Sequence, residues 1–354
     1  MKTHVDVGGR ADGEMTPDVC VLISTYNREA LLARTLDSLA STRVAPGVSW
    51  EVIVVDNNCT DRTRDVVESR IGRFPAPLRR IFEGRPGKSH AINTGIQSSS
   101  AAVFAFTDDD VLIPPEWLEA AVTPLLERPE IAYTGGPVRP LWERPAPDWI
   151  QGDPGRLFGP IALLDYGSDE FIFEERQRIA MGVNMAVRRA LIDAVGGFHP
   201  NLGRSGSSLR GQEQAEFFFR TRAAGARGLY APRMELRHHV PASRMTRSYY
   251  WRWWYWKGMA RAQMQDRHPV SELGLDLRTV PHVARVPRFL WGAAVRDAAL
   301  WGAAVWRGDV IRRAQQETSI AYFAGYLKGR WSGGADRRAL DPTQTYIGPP
   351  GAGT

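Results

Sequence analysis

The chain has 354 residues, 43% of them hydrophobic and 24% charged, an ordinary globular composition with room for one large core plus an accessory segment. No charge-free apolar run is long enough to cross a bilayer, so no membrane-spanning helix is expected. The polar N-terminus, residues 1–17, has no apolar core; it does not read as a secretory signal and is expected to be disordered. The net charge of +6 is unevenly placed: residues 241–331 carry fifteen Lys/Arg against six Asp/Glu, and eight of the twelve Trp. A basic, Trp-rich segment suits an anionic membrane surface or a lipid-phosphate acceptor. The alternative is a solvated helical face with its Trp in the core. No nucleic-acid-binding module accompanies the charge, so no nucleic acid is expected as partner. The two cysteines, Cys20 and Cys59, are read as buried free thiols of a reducing compartment. A cytoplasmic protein is expected, peripheral at the inner face of the membrane if the basic segment meets lipid.

In chain order, residues 19–23 read as a buried strand, 29–39 as a helix with apolar residues at helical spacing, and 51–55 as a second strand. A helix over 58–71 follows, with Thr60 or Asp61 as its N-cap. Residues 78–82 read as a strand, 88–97 as a helix and 102–106 as a strand. Pro114 and Pro115 open a helix to about 127, and 131–135 is a further strand. This alternation predicts an α/β fold with a mostly parallel sheet covered by helices on both faces. Residues 138–153, rich in Pro and Trp, read as a loop. Then come a strand over 179–187, a helix over 189–195, a mobile Gly/Ser-rich stretch at 203–211, a helix over 212–224 and a strand over 236–240. From 243 onward the pattern is helical, over 249–265, 288–306 and 309–328.

The strongest chemical signal is Thr107-Asp108-Asp109-Asp110 at the end of a buried strand. Ligands of open α/β sheets bind beyond the carboxyl ends of strands, and adjacent carboxylates repel unless a cation is near. Carboxylate oxygens suit Mg²⁺ or Mn²⁺, which would bridge a diphosphate; the alternative is an acidic turn capping the next helix. A second signal is Ser24-Thr25-Tyr26-Asn27-Arg28, where a strand runs into a polar turn and a helix start that favours anions, unless Thr25 and Arg28 are only surface turn residues. The third is Asp56 at the tip of the second strand, placed to accept from a base or ribose, or else to form an Asx-turn. No Gly-x-Gly-x-x-Gly occurs, which counts against a dinucleotide-binding oxidoreductase.

The order Ser24-Thr25-Tyr26-Asn27-Arg28, Val54-Val55-Asp56-Asn57, Gly87-Lys88-Ser89-His90-Ala91-Ile92-Asn93-Thr94-Gly95 and Thr107-Asp108-Asp109-Asp110 resembles the family 2 glycosyltransferases of GT-A fold. The likeness runs over roughly residues 17–240. It implies a Rossmann-like catalytic domain at 18–242, with a nucleotide-binding half (18–135) and an acceptor half (136–242). A basic helical segment at 243–331 and a disordered tail at 332–354 complete the chain. It implies that Thr25, Tyr26 and Asp56 hold the nucleotide base, Asp56 by accepting from uracil N3–H, with Lys88 near base and diphosphate. Asp108 and Asp110 match the family's Asp-x-Asp, the first on ribose or metal and the last on metal, with Asp109 between them able to do either. His238 matches a region where the family often places a metal-binding His; core filling is its alternative role. Gly211-Gln212-Glu213-Gln214-Ala215-Glu216-Phe217 matches the segment supplying the general base. Gln214 stands where the family has Asp and cannot take a proton, so the role falls to Glu213. Glu216 is the runner-up, three residues along the helix and turned away.

The expected function is inverting transfer of a sugar from a nucleotide-diphosphate donor, preferably a UDP-sugar, to a carbohydrate or lipid-linked acceptor hydroxyl, in polysaccharide or glycolipid synthesis. Two other classes compete. A nucleotidyltransferase would show a Gly-rich loop after the first strand, absent from 24–28. A non-catalytic nucleotide-sugar binding protein would account for Gln214.

Overall fold

A computed structural model describes residues 16–152, 157–173, 178–204, 209–271 and 275–331. The stretches 1–15, 205–208 and 332–354, where disorder or mobility was expected, lie outside the described residues. The first half contains β1 (Val19–Thr25), α1 (Glu29–Leu39), β2 (Trp50–Asp56), α2 (Thr63–Glu68), β3 (Leu78–Phe82), α3 (Lys88–Gln97), β4 (Val103–Asp108), β5 (Val111–Leu112), α4 (Trp117–Glu127) and β6 (Ile131–Gly135). The second half continues with β7 (Val138–Trp142), α5 (Asp148–Gln151), β8 (Phe171–Ile172), β9 (Asn184–Arg188), α6 (Arg189–Val195), α7 (Glu213–Ala223), β10 (Arg227–Tyr230) and β11 (Leu236–Val240). After these come α8 (Arg247–Met264), the short β12 (His282–Val283) and β13 (Val286–Pro287), α9 (Arg288–Arg307) and α10 (Val310–Trp331).

Eight strands form the main sheet in the order β3-β2-β1-β4-β9-β6-β10-β8. β1, β2, β3 and β4 run parallel. β9 lies antiparallel between β4 and β6. Side chains alternate across the sheet, which is why the strands read as continuous apolar runs. Val19, Val21, Ile23, Val52 and Val54 join one core with Leu32 and Leu36 of α1 and Trp117 of α4. Cys20, Leu22, Ile53, Val55, Phe104 and Phe106 face the other core, with Ala91, Ile92, Phe198, Phe217 and Phe218. Cys20 is a buried free thiol as expected, whereas the free thiol of Cys59 is only half-buried.

Several elements differ from expectation; β5 and β10 were not expected at all. The helix expected over 58–71 spans only Thr63–Glu68. Asn58 takes a left-handed φ of 68°, Asp56 accepts from the Cys59 N–H and Asn27 from the Thr60 N–H, so 58–61 form a turn. Asp61 does meet the helix start, accepting from the Thr63 N–H. The loop expected over 138–153 contains β7 and α5, because Val138–Trp142 pairs in parallel with β11. The strand expected over 179–187 is confined to Asn184–Arg188.

α8 and α10 pack backbone against backbone at glycines. A Cβ on Gly258 would lie 2.0 Å from the Tyr322 carbonyl oxygen, and one on Gly325 would lie 1.8 Å from that of Tyr255. Only Asp297 and Ala304 of α9 are buried. Gly325→Val is expected to force these helices apart at a cost of about 1–3 kcal/mol or more, read as a lower Tm in thermal unfolding. An unchanged Tm would show that the helices do not approach this closely.

Candidate active site

The parallel register brings the chemical groups together. Thr25 lies opposite Asp56 across β1 and β2, and Ser24 lies opposite Asp108 across β1 and β4. Three strand ends therefore open on one edge, where a sheet of this kind binds ligands. A cavity of about 510 Å³ lies there, lined among others by Tyr26, Lys88, Asp108, Asp109, Glu213 and His238.

Asp109 and Asp110 are buried, each 4% exposed. Arg28 Nη1 donates to Asp109 Oδ1 at 2.9 Å and to Asp110 Oδ2 at 2.6 Å. Thr25 Oγ1 donates to Asp109 Oδ2 at 2.7 Å. Lys88 Nζ pairs with Asp108 Oδ1. Burial, opposed by Arg28, pushes the Asp109 carboxyl up to about 6. Burial also raises that of Asp110, but His238 and Arg28 reverse it and hold Asp110 well below the usual carboxylate range.

His238 arrives through the second sheet. β11 pairs antiparallel with β5, setting His238 opposite Val111, and the His239 N–H donates to the Asp110 carbonyl. His238 Nε2 lies 3.4 Å from Asp110 Oδ1. One ligand atom each from Asp108, Asp110 and His238 lies within 4.8 Å of the others. Asp110 Oδ1 is buried and accepts no hydrogen bond among the described residues. Two carboxylates and an imidazole with an unsatisfied buried oxygen fit a divalent cation such as Mn²⁺ or Mg²⁺.

Glu213 opens α7 and is 4% exposed. Its Oε2 is buried with no hydrogen-bond partner among the described residues. Burial raises its proton affinity, with Lys88 opposing. Glu216, one turn on, is committed elsewhere: Arg220 grips it at 2.7–3.0 Å, and His268 Nε2 lies 3.1 Å from Oε1. Burial alone would raise its carboxyl, but His268 and Arg220 hold it down at about 2. Its side chain braces α7 and does not line the cavity. Gln214 packs so closely on Gly182 that a Cβ there would lie 1.5 Å from Nε2.

Tyr26 is 60% exposed at the cavity. Asp56 is buried beside the cavity, accepting from the Cys59 N–H at 2.8 Å and pairing with Arg80 at 3.0 Å. Asn57 and Asn58 line the wall there instead. Each carboxylate oxygen carries two lone pairs, so these contacts leave Asp56 able to accept a further N–H. Arg80, Arg204, Arg244 and Trp253 were not singled out from sequence, although the last three line the cavity. Arg244 follows His238 by six positions, the one local signal that could have found it.

The mostly parallel sheet, with carboxylates, a histidine and a buried glutamate gathered at its strand ends, defines a GT-A-type glycosyltransferase. The chain belongs to glycosyl transferase family 2, whose family model matches residues 20–196, half of the sequence. It is 24% identical over 254 residues to a glucosyl-dolichyl phosphate glucuronosyltransferase of Haloferax volcanii, covering 71% of this chain and 78% of that one. It is 28% identical over 245 residues to the succinoglycan biosynthesis protein ExoM of Rhizobium meliloti, covering 68% of each. A validoxylamine A glucosyltransferase of Streptomyces hygroscopicus subsp. limoneus is 40% identical over 108 residues, which span 30% of this chain and only 23% of that protein. In fold it resembles the mannosyltransferase PcManGT of Pyrobaculum calidifontis, solved with GDP-Man and Mn²⁺, at a TM-score of 0.58 and 19% identity, covering 90% of this chain and 88% of that one.

Replacing Asp110 by Asn, or His238 by Ala, is expected to weaken Mn²⁺ binding at least about tenfold. Isothermal titration with Mn²⁺ in the presence of UDP measures it. Unchanged affinity in both variants would remove these residues from the metal site.

Proposed function

We propose that this protein is a metal-dependent, inverting glycosyltransferase that moves a sugar from a UDP-sugar to an acceptor hydroxyl during polysaccharide or glycolipid synthesis. The observation that carries this reading is that Glu213, a buried carboxylate with an unpartnered oxygen, shares one cavity with Asp108, Lys88 and His238. A bound divalent cation would supply neutralisation of the charge that grows on the leaving diphosphate. Asp108, Asp110 and His238 would hold it. Lys88 and Arg28 place positive charge beside the same diphosphate, Tyr26 offers an exposed ring to the base, and Asp56 accepts from uracil. Glu213 takes the acceptor proton as the hydroxyl oxygen bonds to the anomeric carbon. The nucleotide diphosphate departs with the bonding pair from the opposite face, so one displacement inverts the configuration.

Relatives named for a dolichyl phosphate sugar and for succinoglycan biosynthesis support a lipid-linked or polysaccharide acceptor. The surface of the C-terminal helices supports attachment to anionic lipid. Val295, Leu300, Trp301, Val305 and Trp306 of α9 are exposed, Trp306 at 85%. The surrounding segment carries the +9 balance. No helix among the described residues is long and apolar enough to cross a membrane. Within α9, Asp297 is buried and held by Arg296, so of this charged pair only the arginine faces water.

Glu213→Gln is expected to leave UDP affinity nearly unchanged and to cut transfer by at least ~10². Because burial raises the pKa of Glu213, the acidic limb of the kcat/KM profile lies above that of an ordinary glutamate: activity falls as pH drops through it, and the limb disappears in the variant. Glu216→Gln instead is expected to lower Tm, since it breaks a buried ion pair. Loss of transfer in Glu216→Gln with normal Tm, and none in Glu213→Gln, would assign the base to Glu216.

For the membrane, flotation with phosphatidylglycerol vesicles is expected at low salt. It should weaken with added salt, with Trp306→Ala and with Arg307→Glu, each basic residue near the surface contributing about 1 kcal/mol. No flotation at low salt would make the C-terminal helices a structural cap.

A further inference from the structure

The cations of the cavity are unequally matched. Arg28 is taken up by Asp109 and Asp110, and Lys88 by Asp108. Arg204 and Arg244 line the same cavity, and among the described residues neither guanidinium has a carboxylate within ion-pair distance. Arg204 sits against the start of α7: a Cβ on Gly211 would meet its Nε at 3.6 Å, two positions before Glu213. Its carbonyl accepts from the Lys88 N–H, which ties it to the first turn of α3. Arg244 lies in the turn between His238 and α8, the helix whose Trp253 also lines the cavity. The two arginines act on one another and on the carboxylates near them: burial, opposed by Tyr249 and Asp110 and aided by repulsion from Arg204 and Arg28, makes the Arg244 proton easier to remove, and Arg204 favours the ionised form of Glu213. Two guanidiniums that line one half-enclosed cavity without a direct ion pair are only partly compensated by the carboxylates farther off, and the guanidinium fork suits phosphoryl oxygens.

Building on the glycosyltransferase reading above, we infer that Arg204 and Arg244 form an anion subsite that recognises the acceptor through a phosphoryl group carried beside the reacting hydroxyl. The subsite adjoins Glu213, so an acceptor held there by its phosphate presents its sugar hydroxyl to the base. It also lies at the root of α8, where the chain turns into the basic, Trp-rich helices. A phosphate-linked acceptor sugar on a lipid carrier would reach it from the surface on which those helices rest. The donor diphosphate is served separately by Lys88, Arg28 and the metal-site residues.

The test is titration of inorganic phosphate onto the protein saturated with UDP and Mg²⁺, in the parent and in Arg204→Gln, Arg244→Gln and Arg244→Lys. Phosphate is expected to bind beside the nucleotide. Each Gln variant should weaken it at least about tenfold, Lys less so, while UDP affinity stays within about threefold. Displacement of phosphate by UDP, or a matching loss of UDP affinity in the Gln variants, would assign the pair to the donor diphosphate and overturn the proposal. So would phosphate affinity that is absent, or equal in all four proteins. Absence of UDP binding in the parent is read in the nucleotide arm alone and bears on the donor reading instead. A second arm uses phosphatidylcholine vesicles carrying a polyprenyl phosphate against the same vesicles carrying phosphatidylglycerol. The double Gln variant should lose its preference for the former only; equal loss on both would make the pair a general headgroup contact and overturn the acceptor assignment.

Discussion

Three consecutive carboxylates at the end of a buried strand are tolerated only when positive charge surrounds them, and much of this molecule is arranged to provide it. Arg28 supplies it from the turn after β1 and Lys88 from the first turn of α3, and the His238 imidazole reaches Asp110 from a second sheet. The parallel register of β1, β2 and β4 makes this convergence possible, since it ends the strands at one level. The buried carboxylates cost desolvation that a single exposed pair could not offset. The interlocked set offsets it and leaves one oxygen of Asp110 unsatisfied, the atom through which a divalent cation would add further compensation.

The helix that begins at Glu213 gives its two glutamates opposite fates. Glu213 lies in the first turn, buried and under-partnered, which raises its proton affinity. Glu216 is locked by Arg220, whose guanidinium also reaches the carbonyls of Val195, Gly196 and Gly197, and by His268. One carboxylate is thereby kept available for proton transfer, while the other fixes the helix that aims it. His268 follows α8, so the C-terminal segment also holds α7 in place. Trp253 and Arg244 bring the same region to the cavity wall. The site is therefore incomplete without residues beyond the family-matched 20–196.

Much of this was legible in the sequence. Short continuous apolar runs marked β1, β2 and β4, because a strand buried on both faces is apolar throughout. Thr25, Arg28, Asp108, Asp109 and Asp110 stand out locally, because they follow directly on buried strands where ligands of such sheets bind, whereas Lys88, Glu213 and His238 are legible only through the resemblance to the family's motifs. These are local properties, encoded within a few residues of where they act. What only the tertiary structure decided depends on partners distant in the chain. The reversal of β9, the pairing of β7 with β11, the grip of Arg80 on Asp56 and the convergence of Arg204 with Arg244 leave no local pattern. An arginine reads alike in sequence whether water, a carboxylate or a ligand awaits it. Its surroundings are set by strand pairing and helix packing across tens to hundreds of residues.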